Sequence, residues 1–206
     1  MQNLLQINAS MFGENGQSTQ LANQFVAGWK AANPAGRVVV RDVDAEPIPH
    51  LSAQRFGAFL TKAEERTAEQ QDVVALSDKL IEELRNADVI VLGLPMYNFG
   101  VPSTLKAYFD HIARAGVTFK YTENGAVGLL TGKKAYVFAA RGGLYAGTPA
   151  DTQAAYVRNF LSFIGISDVE FVYAEGIAMG EDGKKAGLEK ARAVIKQLVE
   201  PLRVAA

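Results

Sequence analysis

Residues 89–103 read Val89-Ile90-Val91-Leu92-Gly93-Leu94-Pro95-Met96-Tyr97-Asn98-Phe99-Gly100-Val101-Pro102-Ser103. The apolar run at the start is typical of a strand that is buried on both faces, and a helical pattern follows the turn. The turn therefore lies at the carboxyl end of a central strand, the edge at which open parallel sheets bind ligands. Its aromatic and amide side chains predict a wall for a planar ligand. An ordinary strand-to-helix loop, in which Pro and Gly only shape the backbone, is the alternative.

Apolar runs and helical periods alternate from this segment towards both ends of the chain. We predict five strands, at residues 4–8, 38–43, 88–94, 135–140 and 169–174. In the first predicted helix, Leu21, Phe25 and Trp29 recur every four residues and share one buried face. The alternation predicts an α/β fold with a five-stranded parallel sheet and helices on both faces. At 206 residues the chain fits a single domain, residues 1–206.

Two long connections, near residues 45–71 and 117–132, interrupt the alternation and are candidate functional insertions. The first contains Phe56, Phe59 and Leu60 and is interpreted as a lid, a subunit contact or part of the core. The second carries Tyr121 before Asn124-Gly125, a strong signal for a β-hairpin. We expect this hairpin near the same sheet edge as the Tyr97 turn.

Composition excludes several classes of protein. The formal net charge is −1 and the charges are spread along the chain, so nothing indicates binding to nucleic acid or to an anionic membrane. The chain has no cysteine and only two histidines, His50 and His111, which argues against disulfides, thiolate catalysis and a metal site. The N-terminus goes directly into a strand pattern and no apolar run approaches a membrane span, so we expect a soluble, cytoplasmic protein. His111 lies in a helical pattern and is expected to be packed or half-exposed rather than catalytic.

A small, polar loop follows the first strand and opens a helix. Ser10, Gln17 and Ser18 lie in it as neutral donors, and the free N–H groups of a helix N-terminus can hold a phosphate. The alternative is that a hydroxyl at Ser18 or Thr19 only caps the helix. Neither a Walker loop nor a G-x-G-x-x-G motif occurs, which disfavours a nucleoside triphosphatase and a standard dinucleotide-binding domain.

A pair of glycines, Gly142 and Gly143, follows the fourth strand, where the backbone can approach a ligand closely. In a sheet of order 2-1-3-4-5, the loops after strands one, three and four meet at one edge. The polar loop, the Tyr97 turn and the glycine pair would then converge. A phosphate site at one end and a flat, hydrogen-bonding slot at the other describe a site for flavin mononucleotide (FMN).

Over essentially its whole length the chain resembles the bacterial FMN-dependent NADH-azoreductases, which are flavodoxin-like quinone reductases that work as homodimers. The resemblance rests on eight segments: Arg41-Asp42, Pro47-Ile48-Pro49, Pro95 to Phe99, Ala113 to Phe119, Tyr121 to Gly125, Thr131 to Ala135, Arg141-Gly142-Gly143, and Phe163 to Ile166. It implies a flavodoxin-like three-layer sandwich, FMN as cofactor and NADH or NADPH as electron donor.

The resemblance also implies roles for residues. FMN would be held by three groups of residues: Ser10, Gly16, Gln17 and Ser18; Pro95, Met96, Tyr97, Asn98 and Phe99; and Ala140, Arg141, Gly142 and Gly143. The substrate slot would be shaped by Phe99 and Tyr121, with Phe56 and Phe59 contributed from the partner subunit. Some relatives carry Ser in place of Gly16, and Ser or Thr in place of Ala140, so two hydroxyl groups are missing from this chain.

The function that the resemblance implies is reduction of quinones and aromatic azo compounds by NAD(P)H in a ping-pong mechanism. N5 of the flavin would carry the chemistry, and no side chain would act as a catalytic group. The alternative from another class is a flavodoxin-like electron carrier or an FMN-binding regulatory protein without a substrate of its own. Flavodoxins are usually strongly acidic, whereas this chain is nearly neutral.

Overall fold

Five parallel strands form the central sheet of the computed structural model, which describes residues 2–204. The seven strands of the fold are β1 (Asn3–Asn8), β2 (Arg37–Asp42), β3 (Val89–Pro95), β4 (Phe119–Thr122), β5 (Gly125–Gly128), β6 (Lys134–Ala140) and β7 (Asp168–Ala174). The sheet has the order β2-β1-β3-β6-β7, while β4 and β5 form a separate antiparallel hairpin. When only the strands of this sheet are numbered, β6 and β7 are its fourth and fifth strands, so the order is the predicted 2-1-3-4-5. The predicted flavodoxin-like fold class is confirmed.

Helices cover both faces of the sheet: α1 (Gln17–Ala32), α2 (Ala53–Leu60), α3 (Ala68–Asn86), α4 (Ser103–Ile112), α5 (Thr152–Phe163) and α6 (Gly180–Val204). On one face, Phe25 and Trp29 of α1 and Ile195 of α6 form a core against the sheet. On the other face, α3, α4 and α5 form a second core that includes Leu80 and Phe109. Every residue of β3 is buried between these two cores, as its apolar run predicts.

The insertion near residues 45–71 contains α2, which packs on α3 through the buried Ala58 and the partly buried Phe59. Phe56 and Leu60 lie on the opposite side of this short helix, with 50% and 71% of their surface exposed. They do not belong to the core of the described residues. The insertion therefore presents two apolar side chains to the surface.

The hairpin β4–β5 is formed as predicted, but its predicted position is wrong. The α4 helix runs back along the sheet after β3, so the chain between α4 and β6 lies at the amino edge of the strands. Hydrogen bonds fix it there: Leu130 N donates to Ile164 O (2.9 Å), just before β7, and Lys133 Nζ donates to Ala87 O (2.6 Å), just before β3. The hairpin and the Tyr97 turn thus lie at opposite edges of the sheet.

Within residues 2–204, no helix combines the length and the hydrophobicity that crossing a bilayer requires.

Candidate functional site

A cleft of about 210 Å³ opens at the carboxyl edge of the sheet, where β1, β3 and β6 end. Residues from all three predicted loops line it, together with two residues that were not predicted, Phe12 and Ile177. The predicted lining residues are Ser10, Gln17, Ser18, Pro95, Met96, Tyr97, Ala140, Arg141 and Gly142. Gly16, Asn98, Phe99 and Gly143 lie in the same loops but not on the wall of this cleft. The structure therefore brings the three sequence segments together in one place.

The loop after β1 and the start of α1 form the polar end of the cleft. Gly16 stands at the N-cap of α1 and provides no side-chain cap, and the first turn of the helix has no acidic residue. The hydroxyl groups of Ser18, which lines the cleft, and of its neighbour Thr19 are buried without a hydrogen-bond partner among the described residues. Unpartnered buried hydroxyls are rare, and together with the positive end of a 16-residue helix they suit an anionic group.

Gly16 makes room for Ser10 rather than lining the cleft itself. A Cβ atom at position 16 would lie 2.2 Å from Ser10 Oγ and 2.6 Å from Ser10 Cβ, closer than real Cβ contacts come. Ser10 is 1% exposed, so it has little free space to move into. Any side chain at position 16, including the serine that the family resemblance implies for some relatives, would therefore compete with Ser10 for the same space.

The Tyr97 turn is a tight two-residue turn at the end of β3. Tyr97 and Gly100 exchange backbone hydrogen bonds of 3.3 and 3.0 Å across it. Asn98 and Phe99 have φ angles of 50° and 64°, the left-handed region that asparagine tolerates but that costs a residue such as Phe about 1–2 kcal/mol. For a bulky residue such as Phe99 this conformation is a genuine outlier. Strained backbone of this kind clusters at functional sites.

The hydroxyl of Tyr97 links this turn to the loop after β1. It lies 3.4 Å from Ser10 Oγ, and Met11 N donates to it at 3.3 Å. The ring of Phe99 is 54% exposed and meets Tyr145 edge-on, with ring centroids 5.5 Å apart. Tyr97 thus lines the cleft and connects two of its loops, while Phe99 projects at its border.

Arg141 lines the cleft through its backbone, because its side chain turns into the protein. The guanidinium is fully buried, donates to Asp151 (2.8 Å) and Glu175 (3.4 Å) and lies 4.8 Å from the Tyr173 ring centroid. Glu175 in turn accepts from the backbone N–H of Tyr145 at 2.8 Å. This arrangement fixes the course of the glycine loop, and it leaves the guanidinium committed to internal partners.

The glycines that follow allow close packing of that loop. A Cβ atom at Gly143 would lie 2.7 Å from the Tyr145 ring, and one at Gly142 would lie 3.2 Å from Ala178. Ile177, which lines the cleft, belongs to the same neighbouring segment, and its N–H donates to Arg141 O at 3.1 Å. The loop after β7 therefore forms a fourth part of the site, which the sequence interpretation missed.

A second cavity, of about 460 Å³, lies on the other side of the Tyr97 turn, between the N-termini of α4 and α5. Phe99 borders it together with His50, Lys106 and Tyr156. Of the four predicted substrate residues, only Phe99 is found there. Two larger grooves, of about 550 and 730 Å³, lie at the β2–α3 side and between α1 and α6, where no predicted site residue lines them.

The other predicted substrate residues lie elsewhere. Tyr121 is on the hairpin at the amino edge and is 75% exposed, so it does not reach the cleft of its own chain. Phe59 packs under the Arg114 guanidinium, 4.9 Å from the ring centroid, and edge-on against His111. Phe56 is exposed on the surface of α2. Within one copy of the chain, these three aromatics do not meet Phe99.

His111 is a packed residue, as expected. It is completely buried, and its Nδ1 lies 2.9 Å from Ala107 O, one turn earlier in α4. Burial lowers the pKa of the imidazole below its ordinary value, because the charged form is poorly solvated there. The ring is therefore neutral at physiological pH, and it does not line the cleft.

Comparison with known proteins points to one group. A family model described as flavodoxin-like fold matches residues 2–199. An FMN-dependent NADH:quinone oxidoreductase of Cellvibrio japonicus is 63% identical over 181 residues, 88% of this chain and 91% of that protein. FMN-dependent NADH:quinone oxidoreductase 6 of Burkholderia lata is 55% identical, over 95% of this chain and 98% of its own length.

Solved structures agree with these relatives. An azoreductase from Bacillus anthracis strain Sterne is 32% identical, with a TM-score of 0.83 over 96% of this chain and 100% of its own. An FMN-dependent NADH-azoreductase from the Ames Ancestor strain, solved in complex with FMN, is 26% identical, with a TM-score of 0.85 over 97% of this chain and 100% of its own.

Proposed function

Because the chain belongs to the flavodoxin-like family of FMN-dependent NADH:quinone oxidoreductases, we propose that it reduces quinones and aromatic azo compounds with NADH through bound FMN. The observation that carries this proposal is the convergence of three loops on one cleft, with the unpartnered, buried hydroxyl of Ser18 at its polar end. The predicted family is confirmed, and the relatives support an enzyme rather than the alternative of an electron carrier.

The residues of the cleft fit FMN. We propose that Ser10, Gln17 and Ser18, with the first N–H groups of α1, hold the phosphate, since they combine neutral donors with a helix N-terminus. The Tyr97 turn would form the wall beside the flavin ring. Bound FMN would supply the redox chemistry between NADH and the acceptor, so the residues of the cleft need only bind and orient the reactants.

The protein's own residues orient and shield the reacting groups in this proposal. We propose that the N–H groups of Gly142, which lines the cleft, and of the neighbouring Gly143 donate to an electron-rich ring edge, since preorganised donors of this kind stabilise developing charge. Phe12 and Ile177 contribute apolar surface that keeps water from the cleft. Donor and acceptor would use the same slot beside Phe99 in turn, which predicts ping-pong kinetics.

The buried state of Arg141 removes one candidate contact for NADPH. Its guanidinium is paired with Asp151 and Glu175 and is not free to bind the additional phosphate of NADPH. The relatives are likewise named for NADH. We propose a cytoplasmic location on the basis of this donor, because NADH is an intracellular reductant.

We propose that the active form is a homodimer. The family resemblance assigns Tyr121 to the substrate slot, yet Tyr121 lies at the opposite sheet edge from its own cleft and is 75% exposed. A second copy of the chain could bring its hairpin to this cleft. Phe56 and Leu60 provide exposed apolar surface that such an interface would cover. Light scattering of the FMN-loaded protein on a size-exclusion column measures its mass and tests this proposal. A monomer with full activity would contradict it.

The test of function is spectroscopic. The protein is reconstituted with FMN, desalted, and treated without oxygen first with NADH and then with a small quinone. We expect retained flavin that bleaches with NADH and recovers with quinone. Protein that retains FMN but is not reduced by NADH would contradict the enzyme proposal, and protein that retains no flavin would contradict the assignment of the cleft.

Two matched serine variants sharpen this test. Ser18→Ala removes an unpartnered buried hydroxyl at the polar end of the cleft, so the Kd for FMN should rise. Ser162→Ala removes an exposed hydroxyl on α5, so the Kd should stay unchanged. Equal affinities in the two variants would contradict the phosphate assignment.

A further inference from the structure

The first two residues of α5 contact the Tyr97 turn from behind. Gln153 Nε2 donates to two backbone carbonyl oxygens, Pro95 O at 2.8 Å and Gly100 O at 2.9 Å. Thr152 Oγ1 donates to the carbonyl oxygen of Phe99 at 2.7 Å. Three carbonyl groups around the turn, those of Pro95, Phe99 and Gly100, are therefore bonded to one helix end.

Gln153 is unusual for a glutamine because none of its surface is exposed. Both partners of its amide are carbonyl oxygens, which only accept, so the nitrogen must point at them and the orientation of the amide is fixed. Its Oε1 atom is buried without a partner among the described residues. A buried polar group that is only half satisfied is costly, which indicates that its position serves a purpose other than packing.

The turn that Gln153 holds is strained at Phe99, a bulky residue in the left-handed backbone conformation. Such conformations persist only when the surrounding structure determines them. The two hydrogen bonds between Tyr97 and Gly100 close the turn locally, but they do not fix it relative to β3. Gln153 does, because it joins Pro95, the last residue of β3, to Gly100, the last residue of the turn.

We propose that the two polar side chains at the start of α5, Gln153 and to a smaller extent Thr152, are positioning residues that hold the Tyr97 turn in its binding conformation before FMN enters. Gln153 does not act on the cofactor directly, since it lies behind the turn, whereas Pro95, Met96 and Tyr97 line the cleft. Through the same bonds it sets where the Phe99 ring projects. The effect on FMN binding rests on the proposed function. The hydrogen bonds that hold the turn to the start of α5, called the clamp below, are a property of the protein alone.

The clamp also connects two parts of the site. Asp151, the residue before α5, accepts from Ala154 N at 3.0 Å and pairs with Arg141 at 2.8 Å. The N-terminus of α5 is thus fixed to the glycine loop on one side and to the Tyr97 turn on the other. A shift of this helix end would move both walls of the cleft together.

The variant Gln153→Met tests the proposal, because it keeps the length of the side chain and removes the donor. We expect the Kd for FMN to rise about tenfold, equivalent to about 1.4 kcal/mol, and the KM for a small quinone to rise more than kcat falls. Gln71→Met is the matched control, since Gln71 is an exposed glutamine on α3, away from the cleft. Gln71→Met should leave the Kd for FMN and the KM for the quinone unchanged.

Hydrogen exchange of the protein without FMN gives a readout independent of activity. The amides of Tyr97 and Gly100, which bond across the turn, should exchange faster in Gln153→Met, while the amides of β3 keep their protection. If the turn loosens as expected but even the wild-type protein binds no FMN, the proposed function fails and the clamp stands. If Gln153→Met is folded with unchanged exchange and unchanged Kd, the clamp is refuted.

Thr152→Val covers the case in which Gln153→Met does not fold. Thr152 is exposed, so this variant should fold, and it removes only the bond to the Phe99 carbonyl. We expect the Kd for FMN to rise about threefold and the exchange of the turn amides to speed up. A folded Thr152→Val protein with wild-type Kd and wild-type exchange would overturn the proposal.

Discussion

Replacing Arg141 by methionine tests how the glycine loop is held. The variant removes a buried guanidinium that bonds Asp151 at 2.8 Å and Glu175 at 3.4 Å. It also removes the stacking of that group on Tyr173, 4.8 Å from the ring centroid. Methionine is of similar length and is apolar, so it fills much of the space without replacing the charge.

The cost follows from the two carboxylates that remain. Their side chains are only 7% and 16% exposed, so each would be left with little solvent and no cation. Breaking a buried ion pair from one side costs about 3–5 kcal/mol. Asp151 keeps a hydrogen bond from Ala154 N (3.0 Å), and Glu175 keeps two from backbone N–H groups (2.8 Å each). We therefore expect the lower end, a loss of about 3 kcal/mol in the free energy of unfolding.

Urea unfolding of the protein without FMN measures this loss, and thermal unfolding gives a second estimate. For a chain of this size about 3 kcal/mol corresponds to a fall in Tm of roughly 6–12 °C. Lys106→Met is the control, because the pair of Lys106 with Asp110 is 48% and 34% exposed and is worth less than about 1 kcal/mol. If Arg141→Met loses no more than Lys106→Met, the ion pairs do not hold the loop and the reasoning is wrong.

Three further variants test other features of the structure. Burial lowers the pKa of His111, so the unfolded chain binds a proton at a higher pH than the folded protein does. Below about pH 6.5 the free energy of unfolding should therefore fall by up to about 1.4 kcal/mol per pH unit. Urea unfolding of His111→Gln from pH 5.5 to 7.5 should show a smaller slope than the wild-type protein, and equal slopes would contradict the reasoning. Gly128→Ala places a Cβ 2.0 Å from Gly165 N, so the hairpin must shift at a cost of about 2 kcal/mol or more; unchanged urea stability would mean that the hairpin does not pack there. In Gly16→Ala the added Cβ would lie 2.2 Å from Ser10 Oγ, so the variant displaces Ser10. The Kd for FMN should rise about tenfold in a fluorescence titration. An unchanged Kd would argue against a role for the Ser10 hydroxyl.

Local sequence patterns were sufficient for the sheet and for three of the site loops. The run before Pro95 is apolar at every position because β3 is buried on both faces, and a parallel sheet then brings the ends of its strands to one edge. The loop after β7 lies at the same edge, so Ile177 could have been included by the same reasoning. Phe12 lies inside the polar loop, where its apolar side chain gave no signal.

Other features depend on contacts between distant residues and left no local signal. The Asn124-Gly125 pair predicts a hairpin but not the sheet edge to which it belongs; that follows only from the direction of α4. The partners of Arg141 lie 10 and 34 residues away, so the sequence could not tell that its side chain turns inward. The donor role of Gln153 likewise depends on carbonyl groups 53 and 58 residues earlier.

The cleft is assembled from segments that are far apart in the chain, since Ser10 and Tyr97 are separated by 87 residues and the glycine loop follows only after β6. A chain still in synthesis that has not yet produced β6 has no cofactor site to offer. FMN can therefore bind only the completed sheet, and at one hundred times its Kd it would add about 2.7 kcal/mol to the stability of that state alone. Cellular supply of flavin would then govern how long the protein survives proteolysis as well as whether it is active.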